Sequence, residues 1–374
     1  LMNLKKRKIV INQVKNLFPP SFSFSKNNLT SNEKLLKKIV DLYGSPLFLY
    51  SEKTIIDTTC SIQNIIKNYP VTVCYAVKAN PALSLIKLIS NLNFGFDVVS
   101  SGELKRIHKV TRNSPKIVFS GVGKTEEELD LALTSNVYCI NVESISELNV
   151  LNKRAKLLNL IAPISIRINP DIDAKTHPYI STGLKNNKFG LSIETGYEAY
   201  KIAKTLKNIN IVGVDCHIGS QILEMAPFME ATEKVLDFVV KLEKLKIKIT
   251  HLNLGGGLGV SYKDETPPTA EEFFEKIIKK IQQWSKNNNT QMPSIIFELG
   301  RSIVANAGIL VCRVNYLKES PENNGKNFAV VDAAMNDLMR PSLYNAYHDV
   351  IPLNIKKNDN LTKNWDIVGP ICET

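Results

Sequence analysis

From residue 71 onward, short β-branched apolar runs alternate with longer stretches in which apolar residues recur every three and four positions. The short runs predict strands, and the three-and-four spacing predicts amphipathic helices. Eight strands are expected, at 71–77, 94–99, 116–120, 137–142, 164–168, 211–218, 250–254 and 295–298. Helices are expected between them, for example at 83–91, 125–134 and 270–284. Thr125, followed by Glu126, Glu127 and Glu128, reads as a capping box. Repeated β-α units imply a parallel sheet, and eight of them suggest closure into an α/β barrel, although a doubly wound open sheet has the same local pattern.

After Arg301 the pattern changes to apolar runs without helical spacers, at 309–317, 328–331 and 365–368, with an obvious turn at 320–327. A mainly β second domain is expected there. Residues 1–30 have no strong periodicity beyond Ile9, Val10 and Ile11, and suit a frayed leader or one strand of that β domain. The expected organisation is a leader with a possible β-domain strand at 1–45, a (β/α)8 barrel at 46–300 and a β domain at 301–374.

With 374 residues, 44% of them hydrophobic and 22% charged, the chain can bury one large core and a smaller second one. No apolar run approaches the roughly 20 residues needed to span a bilayer, and the start is too charged for a signal peptide, so a cytoplasmic protein without membrane partners is expected. The net charge of +11 is spread as lysines among asparagines, with no aromatic-interleaved stripe, which argues for a solvated surface over nucleic acid. Cys60, Cys74, Cys139, Cys216, Cys312 and Cys372 form no Cys-x-x-Cys pair, so reduced thiols and no metal site are expected.

Active sites of such barrels lie at the carboxyl ends of the strands, which directs attention to Lys78, Asp97, Asn141, Arg167, His217, Gly255, Gly256, Gly257 and the run from Glu298 through Gly300 to Arg301. Lys78 follows an apolar strand, where partial desolvation can free its amine for Schiff-base chemistry; an ordinary surface lysine is the alternative. The three glycines, with Gly300 and Arg301, fall where barrels bind phosphate through backbone amides; the alternative is a tight turn. Glu298 could keep a pyridine nitrogen protonated, or simply pair with Arg301. His217 could stack on a cofactor ring, or be a structural histidine. Arginine is scarce, with eight in the chain, so Arg301 and Arg340 stand out as bidentate partners for a substrate carboxylate.

Together these residues resemble a known family. Tyr75-Ala76-Val77-Lys78-Ala79-Asn80 is similar to the cofactor-lysine motif of fold-type III pyridoxal-phosphate decarboxylases. More selective is the segment from Asn169-Pro170-Asp171 through Lys175-Thr176-His177-Pro178-Tyr179 to Lys188-Phe189-Gly190. With His217-Ile218-Gly219-Ser220-Gln221-Ile222, Asp332 through Tyr344, and Gly369-Pro370-Ile371-Cys372-Glu373, it resembles the diaminopimelate decarboxylase family from about Tyr43 onward.

The resemblance implies an alanine-racemase-like barrel with a β domain, pyridoxal 5'-phosphate on Lys78, His217 stacked on its ring, and Glu298 at its pyridine nitrogen. It places Ser220, Gly255, Gly256, Gly257, Gly300 and Arg301 around the phosphate. Substrate binding falls to Arg301, Arg340, Tyr344 and Glu373, and proton donation to Cys372, in a homodimer with shared sites. The implied reaction converts meso-2,6-diaminopimelate to L-lysine and CO2; decarboxylation of ornithine, arginine or carboxynorspermidine, or a non-catalytic cofactor-binding homologue, are the alternatives. Leu299 stands where the family has proline, which restores an N–H and leaves Glu298 and Arg301 unchanged. The family also continues beyond the position of Thr374 with strands carrying a cofactor-contacting tyrosine, so 301–374 is expected to be an incomplete β domain.

Overall fold

The computed structural model describes residues 21–25, 28–31, 34–111, 115–173, 183, 187–322, 325–354 and 363–372. They fall into two compact units. One comprises Thr58–Val260 and Thr266–Ile303; the other is built from the segments before and after these, together with Ser261–Glu265. Among the described residues no helix is long and apolar enough to cross a membrane.

In the second of these units, β1 (Phe22–Ser25), β2 (Asn28–Ser31) and β3 (Lys34–Leu35) form a small antiparallel sheet, followed by a helix at Leu36–Tyr43 and by β4 (Leu47–Tyr50). The barrel strands come next: β5 (Val71–Ala76), β6 (Gly95–Val98), β7 (Ile117–Phe119), β8 (Cys139–Val142) and β9 (Ala162–Asn169). A two-residue strand, β10 (Leu191–Ser192), extends from β9, and β11 (Ile209–Asp215), β12 (His251–Asn253) and β13 (Ser294–Leu299) complete the set. Neighbours are parallel throughout; β13 pairs with β5 and β8 with β9, so the sheet closes as an eight-stranded barrel. All eight runs expected as strands are strands, and closure excludes the doubly wound alternative. The helix expected at 83–91 is Leu83–Asn91, and the Thr125–Glu128 capping box is formed in full.

Beyond the barrel, the run at 309–317 is two strands rather than one. Its first part, β14 (Gly308–Val311), pairs with β4, whereas β15 (Val314–Lys318) turns back onto β16 (Phe328–Val331). A continuous apolar run does not reveal that its two halves serve different sheets. Because β4 pairs with β14, residues 46–57 belong to this unit and not to the barrel expected at 46–300. β17 (Asp366–Val368) adds in parallel to β16, and a short helix at Arg340–Tyr344, not expected from the pattern, lies between them in sequence.

Strand register decides what fills the barrel. Cross-strand partners share a face, and the chain of pairs Cys74↔Gly95, Val118↔Cys139, Asn141↔Ser165, Ser165↔Gly213, Gly213↔His251, Arg167↔Asp215, Asp215↔Asn253 and Cys74↔Glu298 runs around one face. The lower part of this face holds a hydrogen-bonded array: the Cys139 thiol lies 3.1 Å from Ser165 Oγ, which lies 3.0 Å from His251 Nε2. The imidazole crosses over Gly213, where a Cβ would come within 2.2 Å of His251 Nε2; only glycine fits. Its upper part, toward the strands' carboxyl ends, is charged: Asp97, Arg167, Asp215 and Glu298 are all buried there.

Burial, with a smaller contribution from Lys116, pushes the His251 imidazole down to about 4 from its ordinary 6.5. A histidine held neutral in the fold contributes no pH dependence above 6.5, where both states are neutral. Between pH 6.5 and 4 the unfolded chain takes up a proton that the fold resists, so stability falls as pH falls, by about 3 kcal/mol across that window. Denaturant unfolding at pH 7 and pH 4 should therefore show wild type losing about that much more stability than His251→Gln; equal losses would show that His251 is not held neutral.

Candidate active site

Lys78 sits in a single turn of 3-10 helix, Val77–Ala79, directly after β5. Half of its side-chain surface is open, while its Nζ rests 2.9 Å from Oδ2 of Asp97, which is wholly buried at the end of β6. Withdrawal from water acts to lower the pKa of the amine; attraction to Asp97, then to Glu298, more than offsets it, and the net shift is upward. The resting amine is thus a held ammonium, not the freed amine that strand-end burial alone suggested.

Glu298 stands opposite Cys74 across the β13–β5 ladder and accepts a hydrogen bond from Asn253 Nδ2 at 2.5 Å. Burial raises its pKa well above the ordinary carboxylate value. Asp97 and Asp215 raise it further, and Lys78 and Asn253 act against them. Asp215, at the end of β11, is raised as well: burial and the nearby Glu143 and Asp97 outweigh the attraction of Arg167.

Arg167 supplies the buried positive charge. Its Nη1 donates to Glu143 Oε1 at 3.0 Å, its Nε lies 3.8 Å from Asp215 Oδ2, and its Nη2 donates to the His217 carbonyl at 3.4 Å. The guanidinium also covers the Phe189 ring, 4.9 Å from its centre, and Glu143 Oε2 accepts the Gly190 N–H at 2.8 Å. The mouth of the barrel is thereby tied to the end of the excursion that follows β9.

The glycine run after β12 packs tightly. A Cβ on Gly256 would come within 2.0 Å of the Glu298 carbonyl oxygen, and Gly255 and Gly257 take left-handed φ values of 64° and 99°. The Gly256 N–H donates to His217 Nδ1 at 3.1 Å, so that nitrogen bears no proton, and any proton on the neutral ring is on Nε2. Burial, then Arg167 and Lys78, lower the His217 pKa well below its ordinary value, which keeps the ring neutral. Ser220 Oγ accepts from Arg301 Nη2 at 3.2 Å, and Gly300 packs against Ala76 and Ala79 on either side of the Lys78 turn.

Lys78, His217, Ser220, Gly255, Gly256, Gly257, Glu298, Gly300 and Arg301 therefore share one end of one barrel. Arg340 and Tyr344 lie at the two ends of the short helix in the other unit, where Cys372, after β17, is exposed. Glu373 and residues 174–182 and 184–186 of the selective motif lie outside the described residues. The sequence reading singled out Asp97 and Arg167 without a role, and missed Glu143, Asp215 and Asn253. Register could have found two of these, since Asp215 pairs with Arg167 and Asn253 with Asp215.

The site suits pyridoxal phosphate in its donor set: an amine at a strand end, a buried carboxylate of raised proton affinity, a neutral imidazole, and close-packed backbone beside a serine and an arginine. The family described as pyridoxal-dependent decarboxylase, pyridoxal binding domain, matches residues 53–305. A diaminopimelate decarboxylase from Vibrio cholerae is 46% identical over 339 residues, covering 91% of this chain and 79% of that protein. The solved structure of diaminopimelate decarboxylase from Methanocaldococcus jannaschii with L-lysine superposes with a TM-score of 0.88 at 39% identity, over 95% of this chain and 82% of that one. That from Helicobacter pylori with L-lysine gives 0.83 at 40%, over 91% and 82%.

Asp97 is the largest influence holding the Lys78 ammonium charged. Asp97→Asn should therefore lower the Lys78 pKa, read as a shift of its 13C-dimethyl resonance during titration of the reductively methylated protein without cofactor. A midpoint that stays in place or rises would show that Asp97 does not govern it.

Proposed function

The chain belongs to the diaminopimelate decarboxylase branch of the pyridoxal-dependent decarboxylases, and on that footing we propose that it removes one carboxylate of meso-2,6-diaminopimelate as CO2 and releases L-lysine. The observation that carries this reading is the convergence of the Lys78 amine, the buried Glu298 carboxylate and the glycine run at the carboxyl ends of one closed barrel.

Pyridoxal phosphate, when bound, supplies the electron sink that accepts the bonding pair left by the departing CO2. Lys78 is the amine that holds it. Glu298 would face the pyridine nitrogen, where burial, which strengthens its hold on a proton, would keep a proton shared with that nitrogen. His217 would stack on the ring, its imidazole held by the Gly256 N–H and kept neutral by burial, then by Arg167 and Lys78. Ser220, Gly255, Gly256, Gly257, Gly300 and Arg301 would surround the phosphate, the close-packed glycines letting it approach the backbone beside the Ser220 hydroxyl and the Arg301 guanidinium.

Arg301, Arg340, Tyr344 and Glu373 bind the substrate, with the guanidinium groups on its distal carboxylate. Cys372 returns a proton to the carbon that has lost CO2, which balances the reaction as diaminopimelate plus a proton giving lysine plus CO2. Cys372 acts across a homodimer, from one subunit into the site of the other. The relatives named as diaminopimelate decarboxylases, at 41–46% identity, favour this substrate over ornithine or arginine.

Borohydride reduction of the cofactor-loaded enzyme, followed by peptide mapping, should fix the label on Lys78; label on another lysine would remove its assigned role. Cys372→Ala and Lys78→Ala should each be inactive, and mixing them should restore part of the turnover through hybrid dimers with one intact site. Freely exchanging dimers that stay inactive when mixed would exclude shared sites.

A further inference from the structure

Outside the barrel, one cluster binds an arginine between aromatic rings. Arg340 opens the helix Arg340–Tyr344, and the i, i+4 spacing places Tyr344 on the same face, its ring centre 5.8 Å from the guanidinium carbon. The second ring comes from far away in sequence: Tyr262, whose centre lies 4.8 Å from the same carbon. Tyr262 is itself held. Its ring meets that of His348 edge-on at 5.2 Å, and its backbone N–H donates to Glu265 Oε2 at 2.9 Å, with the Lys263 N–H on the same oxygen at 2.7 Å. Lys263 in turn lies over the Tyr347 ring at 5.4 Å. Ser261–Glu265 belongs to the same compact unit as Arg340, although it follows only a few residues after the Gly255-Gly256-Gly257 run.

We propose that Tyr262 is a positioning residue for Arg340 and thereby sets the preference for substrates with a distal carboxylate, an inference that rests on the reading of Arg340 as that carboxylate's partner. An aromatic ring engages the flat face of a guanidinium and leaves its N–H edge available, which is the edge a carboxylate needs for two parallel hydrogen bonds. Arginine's long stem has many rotamers, and a ring fixed from another segment removes most of them before substrate arrives. Tyr344, four residues away on a single short helix, moves with Arg340 and cannot by itself fix it. Tyr262 can, because its own position is set by Glu265 and His348.

The distal end of diaminopimelate survives in the product, so L-lysine carries the carboxylate that Arg340 would bind. D-Lysine has the reacting centre but lacks the distal carboxylate. The test is steady-state kinetics on the cofactor-loaded enzyme and its variants Tyr262→Leu, Tyr262→Phe and Arg340→Lys, with both lysines as competitors. Removing the ring should raise KM for diaminopimelate on the order of ten-fold, as loss of a cation–π contact does. In Tyr262→Leu, kcat should change less than two-fold, the L-lysine inhibition constant should rise in parallel, and that of D-lysine should not move. Tyr262→Phe, which keeps the ring, should restore wild-type KM. If Arg340→Lys raises KM while Tyr262→Leu does not, or if Tyr262→Phe is as damaging as Tyr262→Leu, the positioning role is overturned while the reading of Arg340 stands. A parallel rise for D-lysine would mean general disruption and overturns it too. If Arg340→Lys leaves KM unchanged, the reading of Arg340 falls and the inference with it.

Discussion

The buried guanidinium of Arg167 is the constraint on which the mouth of the barrel depends. Glu143, Asp215, Asp97 and Glu298 place four carboxylates at this end, near the cations Arg167, Lys78 and Lys124, the last of which is paired with Glu147. Charges withdrawn from water are tolerated only when paired and hydrogen-bonded, and removing one partner leaves the others uncompensated. Arg167 meets this with the Glu143 carboxylate, the Asp215 carboxylate, the His217 carbonyl and the Phe189 ring. Burial first, and the neighbouring carboxylates second, make the carboxyl groups of Asp215 and Glu298 bind their protons more tightly than usual.

This arrangement is costly for stability and useful for chemistry. Burial, with Asp97 and Asp215 beside it, raises Glu298, and Asp97 and Glu298 in turn hold the Lys78 ammonium charged. Burial, aided by the same cations that stabilise the carboxylates, keeps His217 neutral, so a flat, uncharged ring is available for stacking. Beneath this layer Cys139, Ser165 and His251 form a hydrogen-bonded array inside the barrel, beside the apolar cluster of Cys74, Val118 and Ile296. The glycines are fitted to these demands: Gly213 makes room for the His251 ring, and Gly256 allows the loop to lie against the Glu298 backbone.

The second unit contributes through contacts between segments that are distant in sequence. β4 pairs with β14, Ser45 donates to Asp332, and Tyr262 meets Arg340. In each case one partner precedes or interrupts the barrel and the other follows it. A stretch of five residues inserted between the barrel's glycine run and its next helix thus belongs to the unit that carries Arg340, Tyr344 and Cys372.

The sequence by itself determined the eight strands, the capped helices and the residues at the strands' carboxyl ends, because apolar periodicity and capping are local and each is written within about ten residues. It also determined the family, through dense motifs around Lys78, His217 and Glu298. What it could not determine follows from pairing. That Asp215 meets Arg167, Asn253 meets Glu298 and Asp97 meets Lys78 depends on register between strands tens of residues apart, and a one-residue slip would turn these side chains away. That 309–317 splits between two sheets depends on which partner each half meets. The upward shift at Lys78, where burial alone predicts a downward one, depends on a carboxylate nineteen residues away arriving 2.9 Å from its amine. Local pattern specifies which elements form; only the closed barrel decides which charges share its mouth, because electrostatic interaction depends on distance in space and not along the chain.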